Sequence, residues 1–254
     1  MVSNKMPSTV LSGVQQDGLV LPKKTLFEKE SIIDCKLKDA KLSDPIFDQC
    51  VLESCMFEKS DFSGSRFFNK NLLTNCSFKT VDFQGSGFSN SQFKDCTFIK
   101  CNFKEASLKD CEFSNCTFTQ CKIIDNTFSA SKITSIKFSG KLQEVAFIAD
   151  QPNTPLLADF KLCKLDWVTF ENCDLLQITP PADTQHIFLK DVSVRARKAL
   201  ASIASEPDNQ TNKLLMRRLQ KLTTQRGALF NIKNLEAYEG PEFTKQFIAL
   251  LQDF

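Results

Sequence analysis

A large apolar residue returns at every fifth position between Phe27 and Phe138. The first run is Phe27, Ile32, Leu37, Leu42, Phe47, Leu52, Phe57, Phe62 and Phe67. One extra residue follows, and the series resumes at Leu73. It continues through Phe78, Phe83, Phe88, Phe93, Phe98, Phe103 and Leu108 to Phe113, Phe118, Ile123, Phe128, Ile133 and Phe138. Two positions before most of these stands a small residue, such as Cys50, Ser60, Cys96 or Cys116. A period of five fits neither the helical period of about 3.6 nor the alternation of a flat strand. Fixed-period self-similarity predicts a repeat architecture, in which each unit buries its apolar residue by stacking on its neighbours.

The units read small–polar–Phe/Leu–polar–polar, as in Cys96-Thr97-Phe98-Ile99-Lys100 and Cys116-Thr117-Phe118-Thr119-Gln120. Over roughly half of the chain this resembles the pentapeptide-repeat family, whose pattern is A/C/S/T/V-D/N-L/F-x-x. The resemblance implies a mainly β fold, a right-handed quadrilateral parallel β-helix. One pentapeptide forms each side, and four make a coil. The central Phe or Leu and the small residue would point inward, the other positions outward.

The pattern also divides the chain. Residues 1–22 are an N-terminal tail or cap, with Leu19-Val20-Leu21 as a short strand. The β-helix spans 23–178. Parallel strands about 4.8 Å apart make the stretch from Phe27 to Phe138 a rod of roughly 25 Å. The extra residue between Arg66 and Leu73 reads as a bulge or as a tolerated insertion. Pro152 and Pro155 predict a loop over 148–159 that projects from the rod, because the pattern returns at Phe160, Leu165, Phe170 and Leu175. Pro180-Pro181 opens an irregular linker, 179–190.

From 191 to 254 the period becomes helical, giving a C-terminal α-helical region. Val194, Ala196, Ala199, Leu200 and Ile203 are expected to share one face. After Pro207 at a helix start, Leu214, Leu215, Leu219 and Leu222 form a second stripe. Phe230, Ile232 and Leu235 suggest a third helix, and Phe243, Phe247, Ile248 and Leu251 a fourth. This module caps the last coil, forms a homodimer interface or binds a partner.

Eleven cysteines invite a search for chemistry, but all of them fall in the inward small slot. Free cysteine packs as a small hydrophobe. The C-x2-C spacing of zinc sites is absent, and His186 is the single histidine. No G-x-S-x-G, H-E-x-x-H or P-loop motif occurs. No catalytic residue, metal or cofactor is therefore expected, and a reduced cysteine-rich core suits the cytoplasm. No run of apolar residues is long enough to span a membrane, and Met1–Val20 shows no secretory pattern. The net charge of +2 argues against a bulk polyanion-binding protein.

Function is then expected on outward residues. Counting in fives places Leu26, Ile46 and Phe68 outward on one side, and Ile33, Val51 and Leu72 on the next, all within the first coils. Contiguous exposed apolar surface marks an interaction site, unless the N-terminal tail covers it. On the C-terminal module, Arg217, Arg218 and Lys221 lie opposite a leucine stripe, either as a solvated face or as a docking site for an acidic partner. They lack interleaved aromatics, so direct nucleic-acid binding is not expected. The reading is a non-enzymatic protein-binding scaffold. For partners, a toxin comes first, making this an immunity-type protein. The resemblance also implies a DNA-mimicking modulator of DNA gyrase, in quinolone or toxin resistance, and a secreted effector scaffold is a further alternative. A near-neutral ladder suits mimicry poorly, since duplex DNA carries one negative charge per ~1.7 Å.

Overall fold

The structure is a computed structural model that describes residues 11–206 and 209–253. Each pentapeptide contributes a short strand or bridge whose ladder residue is buried between outward neighbours, as in Gln92–Lys94. Two residues after the ladder residue, the backbone turns through the left-handed region. Lys29, Asp34, Asp95, Lys100 and Asn115 have φ of 57°, 52°, 54°, 53° and 53°. That conformation costs an ordinary residue about 1–2 kcal/mol and an Asn or Asp less. Each corner is tied to the next coil, as where the Asp34 N–H donates to Glu53 O at 2.9 Å.

Four sides close a right-handed quadrilateral β-helix of about eight turns. Parallel strands stack on each side. One sheet runs from Leu11–Ser12 through Ser31–Ile33, Val51–Glu53, Leu72–Thr74 and Gln92–Lys94 to Glu112–Ser114. A second begins at Gln15–Asp17 and extends beyond Ile136–Ile148, and a third comprises Leu26–Glu28, Ile46–Asp48 and Arg66–Phe68. The fourth side is held by isolated bridges along Val20, Lys41, Asp61, Asp82, Asn102 and Lys122.

Rings fill the interior. Phe98 stacks on Phe78 at 5.0 Å and on Phe118 at 4.6 Å, and meets Phe103 edge-on at 5.4 Å. Offset stacks and edge contacts are the arrangements the ring quadrupole favours, and each buried ring contributes on the order of 1.5–3 kcal/mol. The small slot also carries a polar role. The Cys96, Cys101 and Cys116 thiols face the carbonyls of Leu73, Phe78 and Phe93, one coil back, at 3.3, 3.3 and 3.4 Å. Ser86 Oγ and Asn126 Nδ2 donate in the same way to Phe62 O and Phe103 O, both at 2.9 Å. All eleven cysteines are buried and free.

The extra residue beside Phe68 is a built feature. Asn69 and Lys70 both take positive φ, 57° and 70°. Asn71 then enters the small slot, fully buried. Its Oδ1 accepts the Cys50 N–H at 2.8 Å, and its Nδ2 donates to Phe68 O at 2.8 Å and Phe47 O at 3.2 Å.

Several expectations change. Residues 11–21 stack as a further coil, with Leu11 paired to Ile32, Gln16 to Leu37 and Val20 bridged to Lys41. This part of the expected tail therefore sits on the end of the rod and does not cover its sides, while residues 1–10 lie outside the described residues. The segment 148–159 is mostly wall and not a projecting loop. Thr154–Pro155 pairs with Cys173–Asp174, Leu156 and Ala158 are buried, and the one continuous exposed run there is Asp150–Asn153. Proline is accommodated there because a two-residue strand needs few of its N–H donors. The stretch 179–190 holds a strand, His186–Leu189, antiparallel to Ala228–Asn231.

Among the described residues, four helices follow: α1 (Val192–Ile203), α2 (Gln210–Leu222), α3 (Ile232–Glu239) and α4 (Pro241–Gln252). The α1 stripe is Val192, Ala196, Ala199 and Ile203, whereas Val194 is turned outward. Two residues along a helix is a rotation of about 200°, so Val192 and Val194 cannot share a face. Leu214 is likewise exposed, and Leu215, Leu219 and Leu222 carry the α2 stripe. Phe230 belongs to a strand, not a helix, and the expected Pro207 start lies outside the described residues. The described α2 start is capped by Asn209, whose Oδ1 accepts the Asn212 N–H at 2.8 Å.

The module is fastened to the last coil. The Leu175 N–H donates to Arg226 O at 2.8 Å, and Arg226 pairs with the buried Asp174 at 3.1 Å. Gly227 follows at φ 84°, where a Cβ would come 3.2 Å from Leu175 Cβ. His186 bridges Asp183 Oδ1 (2.8 Å) and Leu165 O (3.2 Å), so its expected irregular setting is a packed joint.

Candidate interaction surface

The structure separates the apolar residues expected on the first coils into smaller groups. Leu26 and Ile46 pair in one column, and Val51 and Leu72 in another. Phe68 stands above Asp48, and Ile33 pairs with Glu53. Ile33, Ile46, Val51 and Leu72 are half-buried, whereas Phe68 is 40% exposed. Met56, between Lys36 and Ser77, is also exposed and escaped the sequence reading. Its position as the outward neighbour of Phe57 was the available signal.

The expected basic cluster on α2 is not uniform. Arg217 is exposed. Arg218 is bonded to Glu239 through Nε at 2.8 Å and through Nη2, and lies 5.6 Å over the Tyr238 ring. Lys221 is exposed at a cleft of about 480 Å³ between the last coil and the helices. Glu239 and Tyr238 were not selected from the sequence, because their proximity to Arg218 depends on how α3 packs.

The cysteines are arranged for packing. Burial pushes the Cys111, Cys163 and Cys173 thiols up to about 12. At neutral pH such a thiol is almost entirely protonated, which removes its nucleophilicity. Among the described residues, no group of three His, Cys, Asp or Glu is placed to hold a metal ion, and no helix is long and apolar enough to cross a membrane.

Carboxylates are dispersed over the sides. On the bridge-held side, Asp61 and Asp82 share a column with Lys41, Asn102 and Lys122. On the second sheet, Lys38 stands between Asp17 and Glu58, and Lys79 stands beside Glu58.

Residues 71–147 match a family model described as a pentapeptide repeat region, and residues 35–72 match one described as pentapeptide repeats. The solenoid belongs to the pentapeptide-repeat family. Three solved structures resemble it at low identity. HetL from the cyanobacterium Nostoc, a pentapeptide-repeat protein involved in heterocyst differentiation regulation, is 11% identical with a TM-score of 0.42, covering 67% of this chain and 91% of its own. Rfr23 from the cyanobacterium Cyanothece is 14% identical with a TM-score of 0.25, covering 42% and 85%. Full-length QnrB1, a plasmid-mediated fluoroquinolone resistance protein, is 14% identical with a TM-score of 0.21, covering 62% and 94%. No curated protein matches by sequence. The pentapeptide-repeat match ends at residue 147, so the last coils, the cleft and the helices lie beyond it.

Proposed function

We propose that this pentapeptide-repeat chain is a non-enzymatic, cytoplasmic protein-binding scaffold that binds and neutralises a toxin. The observation that carries the binding role is Phe68. Among the described residues it is the only exposed phenylalanine, at 40%, and burying the exposed part of the ring would contribute on the order of 1 kcal/mol. Asn71 fixes the bulge from which it projects, so docking there orders little that is not already ordered. The Leu26–Ile46 pair adds apolar surface on the same side, and the Val51–Leu72 pair adds it on the next.

Toxin neutralisation needs occupancy and no bond-making, which suits a body whose thiols are buried. Reduced cysteines also suit a reducing compartment. Mimicry of DNA has less support, because the acidic columns carry lysines as well.

The test is growth of cells expressing a toxin encoded beside this chain's gene. Co-expression of the wild type is expected to restore growth, and the folded Phe68→Asp plus Leu72→Asp variant is not. Failure of the wild type to restore growth or to co-purify with the toxin overturns the toxin role. Inhibition of gyrase supercoiling by micromolar protein would favour mimicry instead.

A further inference from the structure

The chain has one tryptophan and one tyrosine against 24 phenylalanines. Both lie at the surface, Trp167 44% and Tyr238 71% exposed. The fold also brings them to one place. Trp167 occupies a solenoid corner at φ 54°, where a bulky residue is unfavourable. With its amide oriented to satisfy both neighbours, Asn234 donates to Asp166 Oδ1 at 3.2 Å and accepts the Trp167 N–H. Tyr238 lies one turn further along the same face of α3. Arg218 covers its ring, locked in place by Glu239.

The cleft opens beside this group. Val168, next to Trp167, lines its edge, and Phe170, Leu175, Phe243 and Phe247 give it an apolar floor. Its lining contains Lys221 and Arg218 and no carboxylate. Glu239 offsets the Arg218 charge, whereas Lys221 forms no ion pair among the described residues. Neither α1 nor α2 contains an Asp or Glu. The site thus joins an apolar recess, an excess of positive charge and the two rings most often found at the energetic centre of interfaces.

We propose that this cleft receives an acidic segment of a partner protein. An apolar side chain of the segment enters the recess, a carboxylate beside it meets Lys221, and Trp167 and Tyr238 pack against its flanks. The two rings lie outside the cleft, so recognition extends further than a small molecule held within it would reach. The proposal rests on the protein-binding reading and adds a second surface, remote in the chain from Phe68.

The test uses the full-length chain and a displayed library of random peptides. A synthetic peptide of the selected consensus is then titrated against the fluorescence of Trp167, the single tryptophan. The consensus is expected to set Asp or Glu beside an apolar residue and to perturb the Trp167 emission. Affinity should fall about tenfold in Lys221→Glu and in Tyr238→Ala and weaken with added salt. Both positions are exposed, and unchanged circular dichroism would verify folding. Selection of no peptide, a basic or uncharged consensus, or unaltered affinity in both variants overturns the site. Growth rescue retained by a chain that selects no peptide would refute the cleft and leave the toxin role standing. Peptide binding without growth rescue would do the reverse.

Discussion

The side-chain oxygen of Asn71 accepts the backbone N–H of Cys50 at 2.8 Å, across one turn of the solenoid. With the bonds from Nδ2 to Phe47 O and Phe68 O, it satisfies the polar groups that a longer coil would otherwise strand. Asn71→Ala should leave the buried Cys50 N–H unpaired and cost on the order of 1–3 kcal/mol, while Phe68 O keeps the Gln49 N–H. Chemical denaturation would measure this, and a midpoint equal to that of the wild type would contradict it. Because the same bonds hold the bulge, the variant should also weaken whatever contact Phe68 makes.

The thiols predict an alkaline limit. Burial raises Cys111, Cys163 and Cys173 to about 12, with Asp159 adding to the effect at Cys163, from an ordinary 9.0. The folded chain holds these protons to higher pH than the unfolded chain does. Their stabilising contribution is complete below pH about 9 and is lost as pH rises toward about 12. Melting temperature should therefore decline over that window. At pH 8 a thiol reagent should react slowly with the folded protein and consume eleven equivalents after unfolding; rapid native reaction would show that the small slots open.

At acidic pH, Asp61 and Asp183 are sensitive groups, beside Asp191, which the Arg195 guanidinium holds below the usual range. Burial works to raise the Asp61 and Asp183 carboxyls, but hydrogen bonds prevail and hold both below the usual range. Ser63 and Ser43 supply them at Asp61, and His186 and the Gln185 N–H at Asp183. Their contribution is present at neutral pH and is lost as pH falls through the lowered values. Stability should change little from pH 7 to 5 on their account and drop below pH about 4. Asp61→Asn should lower the melting temperature at pH 7 and flatten the acid decline, and an unchanged decline would exclude Asp61 as its source.

A homodimer through the helices is a further proposal, resting on Leu214, exposed on α2. Light scattering at micromolar concentration should give twice the chain mass for the wild type and a single mass for Leu214→Glu. A monomeric wild type would remove the idea.

The solenoid was legible because its constraint is local and repeated: each Phe or Leu must meet its counterpart one coil away, and five-residue spacing records that directly. Less regular parts left weaker traces. Pro152 and Pro155 looked like loop formers, yet the pairing of Pro155 with Asp174 depends on a strand many residues distant. The pairing of His186 with Asn231 is equally non-local. Within α1 the period places Ala196, Ala199 and Ile203 on the buried face, but the first turn contributes Val192 and not Val194. At the surface, counting in fives gives the side a residue occupies but not its neighbours down the column. This is why Ile33 was grouped with apolar residues and found beside Glu53. Arg218 was picked out for its charge, while Glu239, which offsets that charge, could be identified only once α3 was in place.

Because every side of the solenoid repeats with the coil, the structure has the character of a graduated ruler. Phe78, Phe98 and Phe118 are interchangeable marks on it. Removing one whole coil between them would rejoin like with like and shorten the span from Phe68 to the helices by about 4.8 Å. Neither end would be altered. If a single partner must touch both ends at once, its reach is therefore measured in coils, and an internal deletion would break the grip while leaving each contact intact.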